Sequence, residues 1–173
     1  MACNQTLAGI TRDCAANAGG VKRVLIAIFD DVTAKALDSS GAKINAITMA
    51  SGKKFKEFYV RRAVSNAVST PQYNDAGDYV GEQTILALAF QRQDTTKRTQ
   101  VAALSVSDLA VIYEDNNGTF WYLGYDNPVR RSGGTAESGT ALTDTNRYGV
   151  ELQDDAFQLP YEVDAQIISS LVD

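Results

Sequence analysis

The chain has 173 residues, 45 % of them hydrophobic and 21 % charged, a composition that fits one folded domain and excludes a disordered segment. It carries a net charge of −5 and no histidine, which removes Ser–His–Asp and Cys–His catalysis and imidazole-based metal sites. An acidic surface does not grip a phosphate backbone, so nucleic-acid binding in the usual sense is disfavoured.

Residues 1–20 are small and polar, end in Asn17-Ala18-Gly19-Gly20, and read as an irregular arm. They include both cysteines, Cys3 and Cys14. Two cysteines cannot complete a Cys-only zinc site, and two reduced thiols suit a chain folded in a cytoplasm better than a disulfide does. The first residues lack a basic start followed by an apolar run. The longest apolar stretch, Val24 to Phe29, is too short to span a bilayer, so no membrane anchor is expected.

Val21 to Phe29 is β-branched and apolar on both alternating faces, the pattern of a strand covered on both sides. Asp30-Asp31 closes it, Asp38 to Gly41 marks a turn, and Ile44 to Met49 makes a second strand. From Phe55 to Val68 the alternation places Phe58, Val60 and Val64 on one face and Glu57, Tyr59, Arg61 and Ala63 on the other. That predicts one unusually long, half-buried strand. Ser69 to Asp78, with Pro71, Tyr73, Asp75 and Gly77, reads as a tip loop, and the chain returns through Tyr79 to Arg92. Residues 55–92 then form a long hairpin that projects beyond a small core.

Asp94 or Thr95 caps a predicted helix over 94–107, the one good helix candidate, with Val101 and Leu104 at helical spacing. Ala110 to Tyr113 and Thr119 to Leu123 flank Asn117-Gly118, the strongest hairpin signal in the chain. Tyr161 to Ile167 alternates as an edge strand does. Eight or nine strands with turns every 8–12 residues predict a mainly β fold over 1–173, a β-sandwich or barrel with one helix and the projecting hairpin.

No catalytic residue, cofactor site or metal site emerges from this pass. Asp115-x-Asn117-x-Thr119 resembles the start of a calcium loop, but Phe120 and Asp126 stand where such a loop needs Gly and Glu, so a hairpin turn is the better account. Asp144-Thr145-Asn146 receives the same reading. Asp30-Asp31 and Asp154-Asp155 point to opposite faces if extended, and at strand ends such acids are solvated turn residues. Gly19-Gly20 and Gly133-Gly134 lack the lysine and helix of a phosphate loop. The basic doublets Arg61-Arg62 and Arg130-Arg131 suit intersubunit salt bridges or solvated faces. Phe120 and Tyr122 share one face and Trp121 the other, an arrangement of core or interface aromatics more than of a sugar-stacking platform.

Cys3, Gly9-Ile10, Asp13-Cys14 and Gly19-Gly20-Val21-Lys22, followed by a strand, resemble the N-terminus of virion proteins of Bacteroidetes-infecting tailed phages. The run Tyr113 to Gly124, then Ser138-Gly139-Thr140-Ala141 and Asp144, looks like a second block of the same proteins. Long strand, tip loop, long strand and helix occur in the order of a phage tail-tube subunit. The resemblance implies a homo-oligomer of hexameric rings stacked into a tube. Its subunit is made in the bacterial host cytoplasm, resides in the virion tail beside other tail proteins, and meets DNA only in passage through the lumen. Assembly contacts are then expected at Glu57, Tyr59, Arg61, Pro71, Tyr73, Asp75 and Glu82, with Phe120, Trp121 and Tyr122 in core or interface. A lumen that lets DNA pass must be acidic or neutral. The hairpin face bearing Glu57 and Glu82 is expected to line it, with Arg61 paired to a carboxylate of its own or a neighbouring subunit, while Phe58, Val60, Leu86 and Leu88 pack on the body. The alternatives are another virion component (neck, hub or capsid decoration), a carbohydrate- or receptor-binding β domain using Trp121, and a hydrolase using paired carboxylates.

Overall fold

The computed structural model describes residues 7–61 and 64–173. Twelve strands and two helices follow one another in them: β1 (Val21–Ile28), β2 (Val32–Leu37), β3 (Lys43–Met49), β4 (Lys56–Tyr59), β5 (Asn66–Tyr73), β6 (Tyr79–Gln91), α1 (Thr95–Val106), β7 (Leu109–Asp115), β8 (Phe120–Leu123), β9 (Arg130–Gly133), β10 (Ala136–Glu137), β11 (Arg147–Ala156), β12 (Tyr161–Val163) and α2 (Ala165–Leu171). The fold is mainly β, with two sheets.

A seven-stranded sheet runs β2-β3-β12-β8-β7-β1-β4, and a five-stranded sheet runs β10-β11-β6-β5 with β9 also on β11. Every pairing is antiparallel except β12 with β3. The path from β2 to β4 is open, so the barrel expected as one alternative is not formed.

β1 and β7 lie side by side inside the larger sheet and are apolar on both faces because both faces are covered. Val24, Ile26, Leu109, Val111 and Leu123 share one cluster with Leu86, Leu88 and Phe90 of β6, Val150 and Leu152 of β11, and Val101 and Leu104 of α1. Side chains of both sheets thus fill one core. The reverse face carries Leu25, Ala27, Ala110, Ile112, Phe120 and Tyr122, clustered with Val163 of β12 and Ile168 and Leu171 of α2. The helix expected over 94–107 is present with Asp94 as its cap, the side chain accepting the Lys97 N–H at 2.8 Å. Asn117-Gly118 turns β7 into β8, and the Asp115 carboxylate accepts the N–H groups of Asn117 and Thr119. That carboxylate serves the turn, as the hairpin reading of Asp115-x-Asn117-x-Thr119 expects.

Four expectations need correction. The strand from Phe55 to Val68 is broken: β4 pairs with β1, whereas β5 pairs with β6 in the other sheet. The crossing is fixed by the Arg61 N–H donating to the Ala89 carbonyl and by the buried Ser65 hydroxyl accepting the Ala89 N–H. The long hairpin is therefore 66–91, not 55–92. The tip loop is shorter than 69–78, because Ser69 to Tyr73 are paired strand. Their polar side chains need no burial on an edge strand, and an edge strand tolerates Pro71. Tyr161 to Ile167 is not an edge strand. β12 is three residues long and lies between β3 and β8; Asp164 then caps α2, a second helix, by accepting the Gln166 N–H at 3.0 Å. Ile168 and Leu171, three apart, give α2 its buried side. Finally, β2 was not anticipated: Val32 to Leu37 reads as the sequel to the Asp30-Asp31 stop, yet it pairs along most of β3.

Gly81 marks a close approach inside β6. Its φ is +158°, and a Cβ there would sit 2.3 Å from the Ala156 carbonyl oxygen, so β11 can reach this far only beside glycine. Leu152 lies at the meeting of the two sheets with no exposed surface. Leu152→Ala is expected to lower stability by about 3 kcal/mol, read as a lower denaturant midpoint with an unchanged slope.

Candidate functional site

The β5–β6 hairpin reaches past its own sheet. β11 pairs with β6 from Gln91 only as far as Glu82, so among the described residues Tyr79 to Gly81 and the facing Gln72 and Tyr73 have no strand on their far side. Beyond them the turn 74–78 is held by Asn74, whose side-chain oxygen accepts the N–H groups of Ala76 and Asp78 at 3.0 and 2.9 Å. Asp75 lies in this exposed turn.

Apolar surface gathers where the hairpin leaves the core. Tyr73 and Tyr79 face each other across the strands, edge to face with ring centroids 6.1 Å apart. The Tyr79 hydroxyl reaches Glu82 Oε1 at 3.2 Å and the Phe157 carbonyl oxygen at 3.3 Å, which joins the β11–β12 connection to the hairpin. Tyr73 is 62 % exposed, Val80 53 % and Phe157 68 %, with Leu159 exposed in the same connection. Large apolar groups cost free energy in water.

Two further free elements accompany this patch. β5 is the last strand of its sheet and, among the described residues, has β6 as its one strand partner, which leaves its other side as an unpaired edge, with Val68 exposed along it. β4 is the last strand of the larger sheet, and Tyr59 on it is largely exposed. Residues 7–20 are exposed arm, pinned at their end to the β7–β8 turn: Asn117 Oδ1 accepts the Ala18 N–H at 2.8 Å, and the Asn116 side-chain amide donates to the Gly19 carbonyl. Cys14 lies exposed on this arm, whereas Cys3, Arg62 and Ala63 fall outside the described residues.

The residues singled out in the sequence separate into two groups. Pro71, Tyr73, Asp75 and Glu82 belong to the hairpin; Glu57, Tyr59 and Arg61 belong to β4 and its continuation in the other sheet's margin. Glu82 does not share an outward face with Glu57. It lies on the face of Thr84, Leu86 and Leu88, is buried, and its Oε2 has no hydrogen-bond partner among the described residues. Position parity already required this, since 82, 84, 86 and 88 alternate together in an extended strand. Glu57 is ion-paired with Arg23 at 3.1 Å, and Arg61 forms no ion pair among the described residues. Phe58 and Val60 do pack against the shared core, as expected. Phe120 and Tyr122 are buried, and Trp121, half-buried, donates its indole N–H to Asp115 Oδ2 at 3.1 Å, so these rings do not form an open stacking platform. Asp154 and Asp155 do face opposite ways, yet Asp154 is deeply buried and not a solvated turn acid. Val80, Phe157 and Leu159 were missed; the signal was an apolar pair, Phe157 and Leu159, inside a stretch that otherwise reads as turn.

The electrostatic anchor of the larger sheet lies on β7. Glu114 is 4 % exposed and opposite Arg23; it accepts from Lys22 Nζ and Arg23 Nε, each at 2.5 Å. Arg23 also lies over the Phe120 ring, 5.5 Å from its centroid. Burial alone raises the Glu114 carboxyl, but hydrogen bonds from Lys22 and Arg23 outweigh it and hold the group below its ordinary value. No protein-family model matches the chain, and no curated protein or solved structure matches it.

Glu114→Gln is expected to cost about 2 kcal/mol at neutral pH through lost charge-assisted hydrogen bonds. Because the folded carboxyl is depressed, the wild-type advantage is full above the ordinary value of 4.5 and fades as pH falls below it. Denaturant titrations of both proteins across that range check the sign.

Proposed function

We propose that this chain is a self-associating structural β protein, its two sheets packed as a sandwich and its β5–β6 hairpin joining copies edge to edge. The particular role that fits is a tail-tube subunit of a tailed phage, in rings, expected to be hexameric, stacked to conduct DNA. The observation that carries the reading is the overhanging hairpin: β5 has a free edge, and the hairpin ends in exposed Tyr73 and Val80 beside exposed Phe157 of the β11–β12 connection. A free edge beside exposed apolar surface templates pairing with another chain, and closing strands from several copies into a ring satisfies every edge at once. The resemblance at Gly19-Gly20-Val21-Lys22 and Tyr113 to Gly124 supports the phage assignment, with the virion tail as location and other tail proteins as neighbours.

The combined variant Tyr73→Ser, Val80→Ser and Phe157→Ser tests the surface without entering the core. The wild-type chain is expected to sediment as large species that grow with concentration, and the variant as monomer with an unchanged β circular-dichroism spectrum. A wild-type chain that stays monomeric at all concentrations, or a variant that assembles as the wild type does, would overturn the reading.

A further inference from the structure

The two ends of β6 carry opposite charge. At its start lies the exposed turn 74–78, which holds two carboxylates, Asp75 and Asp78. Asp78 accepts from the Asn74 side-chain amide at 3.2 Å, and neither acid forms an ion pair among the described residues. Past its other end is an open hollow of about 400 Å³, lined by Arg61 and Arg92 together with Thr143, Asp144 and Thr145. Both arginines are exposed, and neither has an ion-pair partner among the described residues. Asp144 serves its own loop, its Oδ2 accepting the N–H groups of Thr140 and Ala141, each at 2.7 Å. Two guanidinium groups against one engaged carboxylate leave the hollow cationic.

Arg92 is held there against its backbone preference. Its φ is +61°, in the left-handed region, and no other non-glycine residue among the described ones has a positive φ. Asn146 imposes the conformation: its carbonyl accepts the Arg92 N–H at 2.8 Å, and its side-chain oxygen accepts the Gln93 N–H at 2.7 Å. Glycine, asparagine or aspartate would take this position with less strain, so the arginine is explained by its side chain and not by its backbone.

Turn and hollow cannot meet within one chain. β6 stands between them and is 13 residues long, roughly 40 Å at the rise of an extended strand.

We propose that the hairpin turn of one copy seats in this hollow of the next, with Asp75 bound by Arg61 and Arg92, so that copies join end to end along β6. The inference rests on the self-association reading and adds a second contact, separate from the β5 edge. The two surfaces differ, so the contact is head to tail, and each joined pair keeps one turn and one hollow free for further copies. Guanidinium groups suit the acidic partner because their paired N–H groups match the two oxygens of a carboxylate. One exposed ion pair is weak, but a closed ring presents one from every copy, and such contacts act together.

Sedimentation velocity and negative-stain microscopy of the purified full chain test the proposal by charge exchange. Asp75→Arg, and separately Arg61→Asp with Arg92→Asp, are expected to leave laterally joined copies that no longer stack, with an unchanged β circular-dichroism spectrum. All three substitutions in one chain are expected to restore stacking. Raised salt is expected to shorten wild-type stacks while the lateral contact persists. Arg92→Asn separates folding from contact: it is expected to melt at a higher temperature, because asparagine accepts the left-handed backbone, and to stack less than the wild type. Exchanged chains that stack as the wild type does, or a triple variant that does not recover, overturn this contact and leave the lateral reading standing. A wild-type chain that stays monomeric overturns both.

Discussion

The two-sided burial of β1 and β7 is the constraint on which the rest of the structure depends. Backbone groups of these strands are cut off from water on both faces and must be satisfied by neighbouring strands. Their side chains are accordingly apolar from Val24 to Ala27 and from Leu109 to Ile112. Charge enters only at one end, where Lys22 and Arg23 meet Glu114, and a lone buried carboxylate there would be costly without both partners. Once this pair is fixed, one face of the larger sheet must be covered by the smaller sheet and α1, and the other must bury Phe120 and Tyr122 with α2.

That covering also determines where the smaller sheet stops being core. Along β6 the inner face is apolar at Phe90, Leu88 and Leu86, turns polar at Thr84 and Glu82, and then runs out beyond β11. The distal hairpin therefore owes little to the core it grows from. Its shape is kept by its own cross-strand bonds, the Tyr73–Tyr79 contact and the Asn74 turn. An element built in this way can present apolar side chains outward without loosening the fold, and that is what an assembly surface requires.

Much of this architecture was legible because local chemistry and tertiary role coincide. The doubly apolar run at β1, the Asn117-Gly118 turn and the Asp94 cap each declare themselves within a few residues. The break between β4 and β5 did not, because both strands alternate with the same period and a change of partner leaves that pattern intact. α2 was hidden behind the same ambiguity, its short apolar spacing following directly on a real strand. Of the candidate site, Tyr73 and Pro71 were readable as hairpin residues, while Glu82 was assigned to the wrong face against its own parity. Phe157 and Leu159 could be placed beside the hairpin only by the register of β11 on β6, a long-range fact.

The central claim is that this fold completes itself by joining copies through the β5 edge and the end of the hairpin. Electron microscopy of the purified chain, carried to a reconstruction in which strands are resolved, tests it most directly. The account predicts closed rings or stacked tubes in which β5 of each copy is hydrogen-bonded to a strand of its neighbour and Tyr73, Val80 and Phe157 are covered. Monodisperse single copies, or assemblies in which that edge and those three residues remain in solvent, would contradict it.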